Sequence, residues 1–492
     1  MPKPFSKIRS AAIDGRALNP IFRKLQLKQL HDTLSANASE VQDAIAGDTG
    51  HTRAEVHVEY CLAMRQLANA YSALDLDQAL HDEYAVSRGQ SAAQRREAVG
   101  IVVIHPAKHA FFSCLLSALI PALTAGNCVV VQADQSLLKT PRLVLDLVSQ
   151  ALDDDVFEVT HHPVEDADLG HAHVRVLQNG SLSGNTTPPL SHHLVSDSDA
   201  RVVAVIERDA DLELAAEELV RARFALRGRS PYAPDLVLVN EWVRKPFLEA
   251  VVRHVVRFGS DEGKKSPAPR TASGQQSLSE LVRSEQGVNV LSWSSAGAVV
   301  DVEDRQSSLL RRKVKEGCLL VHPVTSIDDA IDFSRSNSRL GAAYIFTKSS
   351  TAKYICQFLD SPMSFVNHVP TTLLFLPMAP SNTSVDPETY LPYNEALFSK
   401  PRAQFVAASA PDSLLATILR QSSPQQLGLL AREALAKLPA VKRRHQGITH
   451  IGFFNQGVVT GGVLLLSTVL GVTGVCSYYG YGLVRSRFLG GL

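Results

Sequence analysis

The fold of this chain is limited most by an alternation of short β-rich runs with stretches long and apolar enough to return over a sheet as helices. Gly100 to Ile104, Cys128 to Val131 and Val174 to Leu177 form one set of runs. Val237 to Val239, Val288 to Ser292, Cys318 to Val324 and Tyr344 to Thr347 form a second. Strands spaced by helical segments pair in parallel, because the crossover must bring the chain back to the same end of the sheet. The pattern therefore predicts an α/β protein with two Rossmann-type parallel-sheet domains. Ahead of them, Phe22, Leu25, Leu27, Leu30, Leu34 and Val41 to Ile45 recur at helical spacing. Glu55 to Leu74 continues this as a long helix with one apolar face. Gly259 to Gly274, polar and rich in Gly, Ser and Pro, reads as a loop inside the second domain.

Charge and cysteine usage narrow the setting. Lys plus Arg and Asp plus Glu both total 49, so no net field draws the chain to nucleic acid. Cys61, Cys114, Cys128, Cys318, Cys356 and Cys476 are scattered without a Cys-x-x-Cys pair, which suits a reducing compartment. Met1-Pro-Lys-Pro-Phe5 has no apolar run behind it, so no N-terminal signal is expected. His192 and His193 invite a metal reading, but adjacent side chains on a strand face opposite ways, and no metal site is expected there.

Several segments carry a more specific pattern. Arg223-Phe-Ala-Leu-Arg-Gly-Arg-Ser-Pro-Tyr-Ala-Pro-Asp235 runs into the apolar strand Val237 to Val239. Upstream lie Arg96 to Pro106, then Pro121 to Val131 with the turn Ala125-Gly126-Asn127, then Leu177-Gln-Asn-Gly180-Ser181 and Asp209 to Ala216. Downstream lie Lys315 to Val324, Ile331 to Asn337 with Gly341 to Thr347, Ser361 to Asn367 and Leu391-Pro392-Tyr393. Taken in order from roughly residue 20 to residue 405, these segments resemble the aldehyde dehydrogenases.

The resemblance implies that family's fold, with an oligomerisation element, a homodimer, and NAD or NADP as cofactor. It also shows where the chain departs from the family. Pro231 stands at the position of the catalytic Cys, Leu226 at that of an Asn and Arg229 at that of a Gln. The missing thiolate is the group that attacks the aldehyde carbon to form a thiohemiacetal, which then releases hydride. Proline does neither. In Pro106-Ala-Lys-His-Ala110, Lys108 replaces the Asn that donates to the oxyanion; Lys108 and His109 read otherwise as exposed turn residues. Gln132 replaces the Lys that reaches the adenosine ribose, and Asp197 falls near the general-base Glu. Gly180 and Ser181 stand at the nicotinamide turn, with Gly184 at a narrower spacing than the family's. Glu316 alone keeps its cofactor-contacting identity, as a ribose-hydroxyl acceptor.

Domains are expected at 1–95 (helical part of the cofactor domain), 96–215 (nucleotide-binding), 216–400 (catalytic-type α/β), 401–450 (return segment and linker) and 451–484 (membrane tail). From Ile451 to Val484 no charged residue occurs in 34 positions, and about 20 apolar residues suffice to cross a bilayer. Lys442-Arg443-Arg444 before it, Arg485 and Arg487 after it, and Tyr478, Tyr479 and Tyr481 are the anchors expected at membrane interfaces. The larger basic cluster precedes the span and keeps the body cytosolic by the positive-inside rule. Gly457, Gly461 and Gly471 suit close helix approach.

Such a tail narrows the resemblance to the class that includes fatty-aldehyde dehydrogenases, held at the endoplasmic reticulum or another internal membrane. Two expectations follow. One is NAD(P)-dependent oxidation of a lipophilic aldehyde, impaired by Pro231. The other is a pseudoenzyme that keeps the fold as a membrane-bound binding or dimerisation scaffold.

Overall fold

A computed structural model of the chain describes residues 4–180, 193–261, 285, 287–293, 297–335, 339–381, 383–406, 408–421, 423–440 and 453–488. They divide into two compact units, Met1–Ala407 and Ala408–Leu492.

The first unit opens with helices whose starts are written in their caps. After α1 (Ser6–Asp14), α2 (Pro20–Ala36) begins at a proline and is capped by the Asn19 side chain, which accepts from the Ile21 and Phe22 amides. Helices α3 (Ala38–Thr49) and α4 (Arg53–Ala73) follow. The latter starts at a reciprocal box: Glu55 N donates to Thr52 Oγ1 and Thr52 N to the Glu55 carboxylate at 2.8 Å. A short α5 (Leu76–Glu83) leads to β1 (Arg96–Ala98).

The first sheet is wound from β2 (Ile101–His105), α6 (Phe111–Thr124), β3 (Cys128–Gln132), α7 (Lys139–Ala151), β4 (Phe157–Thr160), α8 (Asp166–Leu169), β5 (His173–Gly180) and β6 (His193–Asp197). Its strand order is β4-β3-β2-β5-β6, parallel throughout. One face packs on α2, α3, α4, α6 and α7 through a core that includes Leu30, Leu67, Leu116 and Val131. The other is covered by α1 through Ile8 and Ala11. Asn127 holds the first crossover together: Oδ1 accepts from Gly100 N at 2.9 Å, while Nδ2 donates to Ala122 O and Phe398 O at 3.0 Å.

The second sheet is built from β7 (Arg201–Ile206), α9 (Leu212–Phe224), β8 (Leu236–Asn240), α10 (Arg244–Asp261), β9 (Val288–Trp293), β10 (Ala298–Val302), β11 (Cys318–Val324), α11 (Ile327–Arg335), β12 (Leu340–Phe346), α12 (Ser349–Phe358) and β13 (Ser364–Val366). The order is β13-β12-β7-β8-β11-β10-β9, parallel except for β9. Finally, β14 (Ser399–Pro401) returns to pair antiparallel with β1, flanked by Arg96, whose Nη2 donates to Ser399 O and Nε to Ser399 Oγ, and by an Arg402–Glu97 ion pair.

Several sequence expectations shift. β7 belongs to the second sheet although it precedes the expected start at 216, because only a tight turn at Ser198–Ala200 separates it from β6. β12 starts at Leu340 rather than Tyr344, since Gly341 lets the strand run beside Met378; a Cβ there would lie 2.3 Å from Met378 Cε. α10 continues through Asp261, so Gly259 to Asp261 is helical rather than loop; the rest of that stretch lies outside the described residues, as do Ser181, Gly184 and His192.

The second unit holds α13 (Ala410–Arg420), α14 (Pro424–Ala434) and α15 (Phe453–Phe488). Gln456–Tyr481 is the one helix among the described residues long and apolar enough to cross a membrane.

Candidate functional site

The segment that carries Pro231 lies at the N-terminal edge of the second sheet. Helix α9 ends at Phe224, and the chain then makes two left-handed residues, Leu226 (φ 51°) and Arg227 (φ 56°), before Gly228 (φ 70°). Non-glycine residues in this region are strained. They are held from outside: Leu226 N donates to Glu55 Oε1 at 2.7 Å, and the Arg227 guanidinium to Gly50 O at 2.8 Å. Gly228 is required by contact as well, since a Cβ would come within 2.5 Å of Glu316 O.

Behind Pro231 sits a buried charge cluster. Lys313 Nζ donates to Pro231 O at 2.5 Å, to Ala200 O at 3.0 Å and to Asp235 Oδ2 at 3.0 Å. Asp235 also accepts from Val202 N at 2.8 Å and Val314 N at 3.0 Å, and faces the Arg223 guanidinium at 3.5 Å. Arg223 is wholly buried and donates to the carbonyls of Pro234, Gly228, Val314 and Glu316. Burial lowers the pKa values of both Lys313 and Arg223, with Asp235 opposing that shift. A lysine whose three N–H donors are taken by two carbonyls and a carboxylate is a clamp on the backbone. It fixes the 231 carbonyl and the β6–β7 turn together.

Asp197 ends β6 beside this clamp. Its Oδ1 accepts from Asp199 N at 3.1 Å and its carbonyl from Ala200 N, so the side chain shapes the turn. Glu316 is exposed, and its carbonyl accepts from Arg223 Nη2 at 2.8 Å and Cys318 N at 2.7 Å.

Facing this edge is the loop after β2. Lys108 points into solvent, 80% exposed, and pairs with the 76% exposed Asp134 at 3.1 Å. His109, expected to be exposed like Lys108, is instead partly buried, with Nε2 at 2.8 Å from Leu374 O. Enclosure pushes its pKa down to about 4, with Arg229 adding to the effect, so the ring is neutral at physiological pH. Burial also lowers the Arg229 pKa, and Arg227 contributes. Cys114, on α6, is buried with its thiol held far above the ordinary range by desolvation, which leaves it unreactive.

The crevice that a doubly wound sheet offers to a nucleotide lies at the carboxyl ends of β2 and β5, where the strand order reverses. Here side chains bridge it. Asn179 Nδ2 donates to Pro106 O at 3.3 Å, and Gln178 joins Ala107 N at 2.9 Å to Cys114 O at 2.8 Å. Gln132 accepts from Val164 N at 3.0 Å. Gly180 packs so tightly on β6 that a Cβ would meet Val195 Cγ1 at 2.4 Å. His105 Nε2, at the end of β2, is buried without a hydrogen-bond partner among the described residues. The fold supplies the crevice. Of the expected contact positions, Gln132 and Gly180 are engaged with protein partners, the Glu316 side chain is exposed, and Ser181 lies outside the described residues.

The structure thus gathers Pro231, Asp197 and Glu316 around the Arg223–Asp235–Lys313 cluster, and leaves Lys108 and Gln132 to other partners. Sequence reasoning missed Lys313. It lies in the run Arg311-Arg312-Lys313, whose composition reads as a solvated surface.

Two sheets, parallel but for β9, with the segment that carries Pro231 leading into the central strand β8 of the second, define the fold of the dehydrogenases that this chain resembles. The chain belongs to the aldehyde dehydrogenase family, whose sequence profile matches residues 6–274. Aldehyde dehydrogenase family 3 member B1 of Mus musculus is 22% identical over 373 residues, covering 70% of this chain and 77% of that protein. Family 3 member A2 of Macaca fascicularis is 20% identical over 387 residues, covering 74% and 78%. The fold is shared with Staphylococcus aureus AldH in a substrate-bound state (TM-score 0.63, 17% identity, 82% and 94% covered). It is shared also with Methanocaldococcus jannaschii glyceraldehyde-3-phosphate dehydrogenase GapN complexed with NADP (TM-score 0.61, 14% identity, 81% and 92% covered).

Proposed function

We propose that this chain is a membrane-anchored aldehyde-dehydrogenase homologue that has lost aldehyde oxidation and keeps the fold as a binding and dimerisation scaffold. The observation that carries the reading is Pro231, whose carbonyl is gripped by Lys313 at the position the family gives to its nucleophile. Removing a covalent nucleophile costs several orders of magnitude in rate. The other changes act in the same direction: Lys108 reaches solvent instead of an oxyanion, and Gln132 is committed to Val164. The domain boundaries near 95, 400 and 450 belong to this reading, with the second α/β domain taken from β7 onward, as do a homodimer and attachment through Gln456–Tyr481 to an internal membrane with the body in the cytosol.

Its ligand is a lipophilic small molecule. Arg229, a partly buried cation in the old nucleophile segment, favours one with an anionic head such as a fatty acid.

Calorimetry with NAD and NADP, followed by a long-chain aldehyde turnover assay on the same sample, tests the proposal. The expected result is no turnover and nucleotide binding too weak to measure. Turnover with tight nucleotide binding would overturn it, and tight binding of aldehyde but not of fatty acid would remove the assignment to Arg229.

A further inference from the structure

Between the body and the span, the second unit carries two short helices with apolar faces open to solvent. On α13, Leu414, Leu415, Ile418 and Leu419 share one side, and only Ile418 is buried; Leu419 is 88% exposed. On α14, Leu427, Leu430, Ala431 and Ala434 recur at helical spacing. Leu435 and Leu438 continue the run at 83% and 86% exposure. Both helices are cleanly started, by Ser409 and Ser423 side chains accepting from Asp412 N and Gln426 N with proline in the first turn. Each is 11 residues long, and isolated helices of that length are marginal in water. They need a surface to lie on.

We infer that α13 and α14 are interfacial helices that bind the anionic surface of the same membrane that takes up the span. Two observations select this partner. The segment is tethered: 21 residues separate Ala434 from Gln456, so the helices stay within a short chain length of the bilayer at all times. It is also basic, with six Lys and Arg against Asp412 and Glu433 between residues 408 and 444. Helices with an apolar face and surrounding Lys and Arg seat in the headgroup region and are drawn to acidic lipids. The inference rests on reading Gln456–Tyr481 as a membrane span.

The test uses the full chain reconstituted in two kinds of vesicle, phosphatidylcholine alone and phosphatidylcholine with phosphatidylserine. Amide hydrogen exchange is followed in residues 412–434, and resistance to alkaline extraction is read on the same preparations. Exchange in α13 and α14 should slow by about tenfold or more only where phosphatidylserine is present. Raising the salt, or the double substitution Leu419→Glu with Leu427→Glu, should abolish that protection without changing extraction. Equal exchange in both vesicles, or protection that survives Leu419→Glu and Leu427→Glu, would overturn the proposal and assign these helices to a protein surface. Loss of the chain on alkaline extraction is a separate result, which would sink the span reading beneath it.

Discussion

Glu59 is the residue whose environment makes the sharpest demand. It is 1% exposed on α4, its oxygens near the Phe112 and Ser113 amides at the start of α6 but without well-formed hydrogen bonds. Burial raises its pKa from 4.5 to about 7, the two amides only partly offsetting it. The folded protein therefore holds this proton where the unfolded chain releases it. Its contribution to stability is complete below about pH 4.5 and is lost as the pH rises through about 7. Glu59→Gln should raise stability above pH 7 by roughly 1–3 kcal/mol and change it little at pH 4.5, as read by urea unfolding at the two pH values. At position 231 the expected outcome is negative: Pro231→Cys should fold and give a titratable thiol, yet produce no NADH or NADPH from long-chain aldehydes. Neither residue's setting was legible in the sequence. The loss of the nucleophile was, because a motif fixes position 231. The Lys313 clamp was not, because its acceptors lie 78 and more positions away and its neighbours in sequence look like a solvated surface.

Elements fared better where each had its own spacer. The central strands β2, β3, β8 and β11 were readable as apolar runs separated by helix-length segments, and the Ala125-Gly126-Asn127 turn by its residues. β6 and β7 were not separable by spacing, since consecutive strands sit in different sheets with only a turn between them. The Asn127 turn carries an element-scale prediction. Asn127→Ala would remove, from a fully buried side chain, the acceptor of Gly100 N and one of two donors each to Ala122 O and Phe398 O, which keep the Asn127 and Val99 amides. The expected cost is about 2–4 kcal/mol, measurable as a lowered denaturation midpoint with an unchanged slope. Gly228→Ala should cost at least as much, about 3 kcal/mol, because it combines φ 70° with a 2.5 Å approach to Glu316 O; thermal melting reads it directly.

For the whole molecule, the division into Met1–Ala407 and Ala408–Leu492 predicts that the body does not need the span to fold. A chain ending at Ala440 should leave the alkali-resistant membrane fraction and keep the melting temperature of the full chain in detergent; a melting temperature lower by more than about 5 °C would show that the body depends on its tail. The short pairing of β1 with β14 has a further consequence for how this body opens. Strands of three residues close a loop of about 300 residues with one ion pair and a few side-chain hydrogen bonds, so much chain entropy is set against little burial. That seam is expected to part while both sheets stay intact, and a protease that catches it open would separate the return segment from a core that remains folded.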